Sequence, residues 1–145
     1  MLYASYDQFM NHEEMAKLCP DAEVVSTGWL SCFAFVFNEE ADIVPSEDDS
    51  MVPIVIWNIS SSDLKKLDNE YKYPEYFDRR TYAVTDNEGN VGEAFVYVMQ
   101  DINKGIFHPT RKYFDTLVKG CIENDIDVMY MYDALDDSYE YENGE

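Results

Sequence analysis

The stretch 52–59 constrains the fold most, because it is an almost unbroken run of apolar and β-branched residues, typical of a buried strand. The serines at positions 60, 61 and 62 follow it directly, and their hydroxyls are suited to cap a helix that runs through Leu67 or Asp68. Together with the strand and helix patterns in the rest of the chain, this buried strand and capped helix predict a chain of the α+β class.

Further strand and helix patterns fill the rest of the chain. Strands are predicted at 2–5, 22–25 and 29–37, with a turn at Thr27 and Gly28, and a hairpin is predicted from 82–85 and 94–99 around the turn 86–90. Helices are predicted from Asn11 to about Leu18, at 111–122 and at about 130–141. No repeat or linker divides the 145 residues, so we predict a single domain over 1–145.

The charge of the chain is strongly one-sided. Thirty Asp and Glu oppose 10 Lys and Arg, giving a formal net charge of −20, whereas solubility of a small domain needs a magnitude of only about 2–8. The stretches 18–64 and 120–145 contain no Lys or Arg at all. We therefore predict an exposed acidic loop at about 38–51 and an acidic C-terminal helix or tail at about 130–145.

Several function classes are excluded by what the sequence lacks. With so few basic residues and no Gly-rich phosphate loop, direct binding of nucleic acid is not expected. Cys19, Cys32 and Cys121 form no Cys-x-x-Cys pattern, and His12 and His108 have no metal-ligand spacing, so we predict no metal and no cofactor. Cysteine usage and the absence of a long apolar run predict a cytoplasmic protein with no membrane interaction.

A series of short motifs runs along the chain in a fixed order. They are Met-Asn-His-Glu-Glu-Met at 10–15, Cys-Pro-Asp-Ala at 19–22, Val-Phe-Asn at 36–38, Ala-Asp-Ile at 41–43, Val-Ile-Trp-Asn-Ile at 55–59, Leu-Asp at 67–68, Tyr-Pro at 73–74 and Asn-Asp-Ile-Asp at 124–127. Together they resemble the γ-glutamylcyclotransferase-like (AIG2-like) family, in its bacterial and phage branch, from Leu2 to about Tyr141. The resemblance implies a compact mixed β-barrel flanked by helices, with a ligand cavity at one end.

The resemblance fails at the loop that binds the substrate in this family. Catalytic members carry Tyr-Gly-Ser-Asn after the first strand, and the matching residues here are Tyr6, Asp7, Gln8 and Phe9. The family's loop needs a residue that tolerates φ > 0 and close approach of the substrate. Asp7 instead adds a Cβ and a negative charge, and Phe9 replaces a polar Asn with a large ring.

The resemblance also fails at the motif Leu-Asp-x-x-Glu-Gly-x-Pro, whose Glu is the general base and acid of the family's reaction. An ungapped alignment puts Tyr71 at the Glu position and Lys72 at the Gly position. A phenol with a pKa near 10 is a poor base at neutral pH, and Glu70, one residue away, is the fallback base. With both motifs changed, we expect no catalytic residue of the family type.

The prediction is therefore a non-enzymatic inhibitor or modulator that binds a basic, nucleic-acid-handling protein, for example a phage anti-CRISPR that acts on an RNA-guided nuclease. Asp42 is added to the loop 6–9 as a cavity candidate, and tyrosines interleaved with carboxylates near the C-terminus are expected to anchor the partner. The predicted acidic face consists of Glu39, Glu40, Glu47, Asp48, Asp49, Asp133, Asp136, Asp137, Glu140 and Glu142. Two alternatives stay open: a cyclotransferase releasing 5-oxoproline with Glu70 or Asp7 as base, and a non-catalytic small-ligand binder.

Overall fold

The computed structural model describes residues 1–47, 49–101 and 107–142, and within these ranges side chains are described up to residue 140. The strands are β1 (Leu2–Ser5), β2 (Glu23–Ser31), β3 (Phe33–Asn38), β4 (Glu40–Pro45), β5 (Met51–Asn58), β6 (Phe77–Asp86) and β7 (Val91–Met99). The helices are α1 (His12–Leu18), α2 (Ser61–Glu70), α3 (Arg111–Glu123) and α4 (Met129–Glu142), and a 3₁₀ turn spans Gln8–Met10. None of the described helices is both long and apolar enough to cross a membrane.

Five of the described strands form a closed barrel in the order β1-β5-β2-β6-β7, and β3 and β4 form a separate two-stranded sheet. Neighbouring strands run antiparallel, apart from β1 and β7, which meet in parallel at Tyr3 and Phe95 and close the barrel. β5 lies between β1 and β2 and is buried along most of its length, as its apolar sequence predicts. The predicted α+β class and the mixed barrel flanked by helices are confirmed.

Helix starts follow from side-chain capping. The Asn11 side chain accepts hydrogen bonds from the backbone N–H groups of Glu13 and Glu14 at the start of α1. Ser60 and Asp63 form a capping box at the start of α2. α2 continues beyond the predicted end at Leu67 or Asp68, and this extension makes Tyr71 the residue that caps its C-terminus.

Two strand predictions are wrong. Residues 22–31 do not contain a turn at Thr27 and Gly28, because Gly28 lies inside β2, where it pairs with both Ile54 of β5 and Asp86 of β6. The predicted strand 29–37 is instead broken at Cys32, which has φ 68°. The chain therefore reverses at Cys32, between β2 and β3.

The predicted acidic loop at 38–51 is wrong in its first half. Residues Glu40–Pro45 form β4, which pairs with β3 through a tight reversal at Glu39, whose φ is 68°. Between β4 and β5 the described residues 46, 47, 49 and 50 form no strand or helix, and Glu47 and Asp49 are exposed there. Asp48 lies outside the described residues.

Candidate functional site

The two segments that the sequence resemblance marks as changed, 6–9 and 67–74, meet inside the protein. β1 leads to Asp7 on one side, and the end of α2 places Tyr71 on the other, although the two residues are 64 positions apart in the chain. The Tyr71 hydroxyl donates a hydrogen bond to the Asp7 carboxylate. This contact is the centre of the candidate site.

The Asp7 carboxylate is 4% exposed and has partners on both oxygens. Oδ1 accepts hydrogen bonds from the Phe9 backbone N–H and from the Ser5 hydroxyl, each at 3.0 Å, while Oδ2 accepts from Tyr71. The contact with Phe9 makes Asp7 the N-cap of the 3₁₀ turn, and its φ of −121° is ordinary extended backbone. The local sequence thus directs this carboxylate inward, toward its own turn.

The Tyr71 ring fills the space next to Asp7. It is 6% exposed and stacks on Tyr97 with ring centroids 3.9 Å apart. Phe9 and Phe77 meet it edge-on at 5.8 and 5.2 Å, and its hydroxyl lies 2.6 Å from the hydroxyl of Tyr3. Two of the residues that the family resemblance marks as changed, Phe9 and Tyr71, are therefore packed against each other.

A second set of polar contacts holds Tyr97 in place from the outside. Its hydroxyl donates to Asp68 at 2.7 Å, and Asp68 forms an ion pair with Arg79 at 3.4 Å. The Arg79 guanidinium in turn lies 4.3 Å from the centre of the Tyr73 ring. These contacts fix the ring on which Tyr71 stacks.

The electrostatics of the site oppose proton transfer by Tyr71. Burial, and then the negative charge of Asp7, raise the pKa of the Tyr71 phenol well above its ordinary value. Burial also raises the pKa of the Asp7 carboxyl, and the hydrogen bonds from Tyr71, Phe9 and Ser5 oppose that rise. Tyr71 therefore stays protonated and acts as a hydrogen-bond donor.

The fallback base, Glu70, lies away from this contact. Its side chain is exposed and faces a surface depression of about 250 Å³ between α1 and the end of α2, which Gln8 and Lys17 also line. Asp42 lies inside the protein, where its carboxylate accepts from the Met99 backbone N–H at 3.1 Å and from the Asn38 amide at 3.2 Å. It ties β4 to the end of β7, which gives it a structural role in the core.

Sequence reasoning missed two neighbours of the site, Glu40 and Tyr113. Tyr113 of α3 donates to the Gln8 side chain and accepts from the Ala41 backbone N–H, both at 2.9 Å. Glu40 is half-buried, and burial followed by the charge of Asp7 raises its pKa. Glu40 is thus less exposed than most of the predicted acidic face, and its part in binding a partner stays a prediction. The tight reversal at Glu39 lacks glycine, so no turn signal revealed it.

Most of the remaining acidic face is exposed. The exposed members are Glu39, Glu47, Asp49, Asp133, Asp136, Asp137 and Glu140. The side chain of Glu142 lies outside the described residues. Tyr132 and Tyr139 are exposed beside these carboxylates, whereas Tyr130 is half-buried and lies edge-on to Phe35 at 5.3 Å.

The described residues contain no group of three or more His, Cys, Asp or Glu side chains placed to hold a metal ion. The interior contact between Asp7 and Tyr71 offers a carboxylate and a phenol that bind each other. Its chemistry is that of a satisfied buried hydrogen bond.

We expect Asp7→Asn to stabilise the protein at pH 8 and to have little effect near pH 4. The folded-state pKa of Asp7 is raised by burial, so its favourable contribution is complete below the unfolded pKa of about 3.9 and is lost as the pH rises through the folded value. Asn keeps acceptors for Phe9 and Ser5, and its amide can donate to the Tyr71 oxygen while the Tyr71 hydroxyl turns to Tyr3. Urea unfolding between pH 4 and 8 measures the difference.

The matched control for this prediction is Asp49→Asn, which removes one exposed carboxylate from the surface. Its stability difference from the wild type should stay within about 0.5 kcal/mol at every pH. An Asp7→Asn variant that is destabilised by the same amount across the whole pH range would contradict the raised pKa of Asp7.

The comparisons with known proteins agree with this fold. An uncharacterised protein from Homo sapiens superposes with a TM-score of 0.83 at 21% identity, over 92% of this chain and 85% of that chain. A structure described as a γ-glutamyl cyclotransferase gives 0.82 at 21% identity over the same shares, and YkqA from Bacillus subtilis gives 0.72 at 14% identity over 99% of this chain and 54% of that one. At these identities the superpositions show the fold alone. No curated protein sequence matches the chain.

A sequence model of the AIG2-like family matches residues 51–133, from β5 to the first turn of α4. This match covers more than half of the chain and includes both Tyr71 and its stacking partner Tyr97. The chain therefore belongs to the AIG2-like family.

Proposed function

We propose that this protein works by binding another protein and does not catalyse cyclotransfer. The observation that carries the proposal is the hydrogen bond between Tyr71 and Asp7. A cyclotransferase needs a base that takes a proton from the substrate ammonium, and room for the substrate beside that base. Here a protonated phenol lies where the family resemblance expects the base, and its ring packs against Phe9, Phe77 and Tyr97.

The partner that we propose is a basic protein that handles nucleic acid. The net charge of −20 is far beyond what solubility needs, and it favours rapid association with a positively charged surface. A nuclease with a positively charged channel for its guide and target strands presents such a surface. An inhibitor of that kind of enzyme, as in a phage anti-CRISPR, is the specific role within this proposal.

The proposal is tested first by enzymology. Purified wild-type protein should release no 5-oxoproline from a panel of γ-glutamyl amines and γ-glutamyl amino acids, measured by chromatography. Release by the wild type that is lost in Glu70→Gln or Asp7→Asn would overturn the proposal in favour of the cyclotransferase. Release that persists in both variants would also overturn the proposal, and Glu40 would then be the next candidate for the base.

The proposed binding to a basic protein is tested by capture of partners at two salt concentrations. The protein, immobilised on beads, should retain basic nucleic-acid-binding proteins from a bacterial lysate at about 0.05 M salt and lose most of them at about 0.5 M, since screening lengths shorten with ionic strength. Beads carrying polyglutamate control for non-specific anion exchange. Retention no more selective than that of polyglutamate would count against the proposed function.

A further inference from the structure

A groove on the surface of the protein lies between α4 and the start of α3. Pro109, Phe114, Tyr132, Leu135 and Tyr139 line it, and its volume is about 290 Å³. This volume is at the lower limit of pockets that hold drug-sized molecules. An open groove of this size suits one or two side chains of a docked polypeptide.

The aromatic rings of the groove are held in position and yet remain accessible. Tyr132, Leu135 and Tyr139 are spaced three and four residues apart, so they share one side of α4. Phe114 meets Tyr132 edge-on at 5.1 Å, and His108 stacks on Tyr139 at 4.6 Å. Tyr132 and Tyr139 are nevertheless 44% and 46% exposed. Fixed, half-exposed tyrosines are effective anchors for a protein partner because little conformational entropy is lost when they are covered.

The negative charges beside the groove favour a positively charged partner. Asp136 lies four residues after Tyr132, and Glu140 lies four residues after Asp136, so a row of carboxylates continues the aromatic side of the helix. Asp133 and Asp137 form a second like-charged pair at the same spacing. The chain from residue 120 to its end contains no Lys or Arg. A cationic partner would relieve the repulsion that these pairs build into α4.

Arg111 and Asp115, which also line the groove, form an ion pair with each other. Arg111 lies 3.9 Å from Asp115, one turn further along α3. A second copy of the chain brings the same charge of −20, and nucleic acid and anionic lipid are repelled by it as well. Charge complementarity therefore selects a basic polypeptide.

Building on the proposed function, we propose that the groove between α3 and α4 is its partner-binding surface, and that it takes a basic amphipathic segment of the partner. An apolar side chain of that segment lies between Tyr132 and Tyr139, and its Lys or Arg side chains face Asp136 and Glu140. The aromatic rings supply most of the affinity, and the carboxylates supply the selectivity for a cationic segment.

The test uses full-length protein and a fluorescein-labelled amphipathic peptide of Lys and Leu with one central Trp. Its dissociation constant is measured by fluorescence anisotropy. Tyr132→Ala and Tyr139→Ala should each weaken binding about tenfold, as expected for an anchor residue. Tyr132→Phe, which keeps the ring, should bind as the wild type does. Thermal unfolding of each variant confirms that it is folded.

Two double variants test whether binding depends on the carboxylates beside the groove or on the overall negative charge of the protein. Each double variant removes two negative charges from exposed positions. The first combines Asp136→Asn with Glu140→Gln, and the second combines Glu47→Gln with Asp49→Asn. The first pair should weaken binding about tenfold at low salt, and the second should weaken it less than about twofold. Equal losses in the two pairs, or wild-type affinity in both alanine variants, would overturn the groove as the binding surface.

Two further outcomes distinguish this inference from the proposed function. If lysate proteins are retained equally by the wild type and by the Tyr132→Ala, Tyr139→Ala double variant, the protein is a binder and the groove is wrong. If sedimentation shows a dimer that Tyr139→Ala dissociates, the groove is occupied by a second copy and the basic-segment proposal is overturned.

Discussion

Replacing Tyr71 with Ala is expected to lower the free energy of unfolding by about 3–5 kcal/mol, the usual cost of removing a large aromatic side chain from a core. The substitution removes the ring that stacks on Tyr97 at 3.9 Å and contacts Phe9 and Phe77 edge-on. It also leaves Oδ2 of the buried Asp7 carboxylate without its donor. Urea unfolding followed by circular dichroism measures the loss, with the slope against denaturant unchanged.

Two companion variants divide this effect into its parts. Tyr71→Phe keeps the ring and removes only the hydroxyl, so it should cost about 1–3 kcal/mol through the lost hydrogen bond to Asp7. Tyr76→Ala removes a half-buried tyrosine near the same core and should cost about 1 kcal/mol. A Tyr71→Ala variant no less stable than Tyr76→Ala would contradict the packing of the Tyr71 ring in the core. Gain of 5-oxoproline release in Tyr71→Ala would show that the site keeps a base and is only blocked by the ring.

The sequence identified both halves of this contact but not the contact itself. The resemblance marks Asp7 and Tyr71 as separate changes in two family motifs, and it predicts the loss of one catalytic element at each. In the structure they satisfy one another, because a buried carboxylate needs a donor and a buried phenol needs an acceptor. Such a pairing depends on how β1 and the end of α2 meet in space. Motif spacing along the chain carries no information about it.

Elements with strong local signals were predicted well. The runs at 2–5 and 52–59, the cap at Ser60 and the hairpin around 86–90 all appear as strands and helices close to the predicted positions. Apolar periodicity and side-chain capping depend only on residues close together in the chain, so the sequence alone predicts these elements.

Two of the errors fall where the chain reverses without glycine or proline. Cys32 and Glu39 both adopt positive φ, at 68°, and make the turns on either side of β3. Neither residue type favours that conformation, so the surrounding pairing must enforce it. The consequence for the site is direct, because the unrecognised turn at Glu39 is what brings Glu40 back toward Asp7.

Gly28 shows the opposite error, since a glycine that predicts a turn lies inside β2. Glycine inside a strand can also mark the close approach of another backbone. The structure shows which meaning applies here: β2 pairs with β5 on one side and, at Gly28 and Trp29, with β6 on the other. Gly28 is thus at the point where β6 joins the barrel.

Gly28→Ala is expected to destabilise the protein by about 3 kcal/mol, at the upper end of the usual cost of overpacking. A Cβ at this position would lie 2.1 Å from the carbonyl oxygen of Thr85 and 3.0 Å from the Cα of Asp86. These are backbone atoms, so no side chain can rotate away, and β6 itself must move from β2. The change in the free energy of unfolding is measured by urea denaturation at neutral pH.

Gly92→Ala is the control that makes this result interpretable, because Gly92 is also a strand glycine of the barrel and a Cβ there would have no atom within 4 Å. Alanine restricts the unfolded chain more than glycine does, so this variant should equal or exceed the wild type in stability by up to about 1 kcal/mol. Similar losses in both variants would mean that strand glycines matter here for backbone freedom. A loss confined to Gly28→Ala would instead place the constraint at the β2–β6 junction, where only a residue without a side chain lets the barrel close.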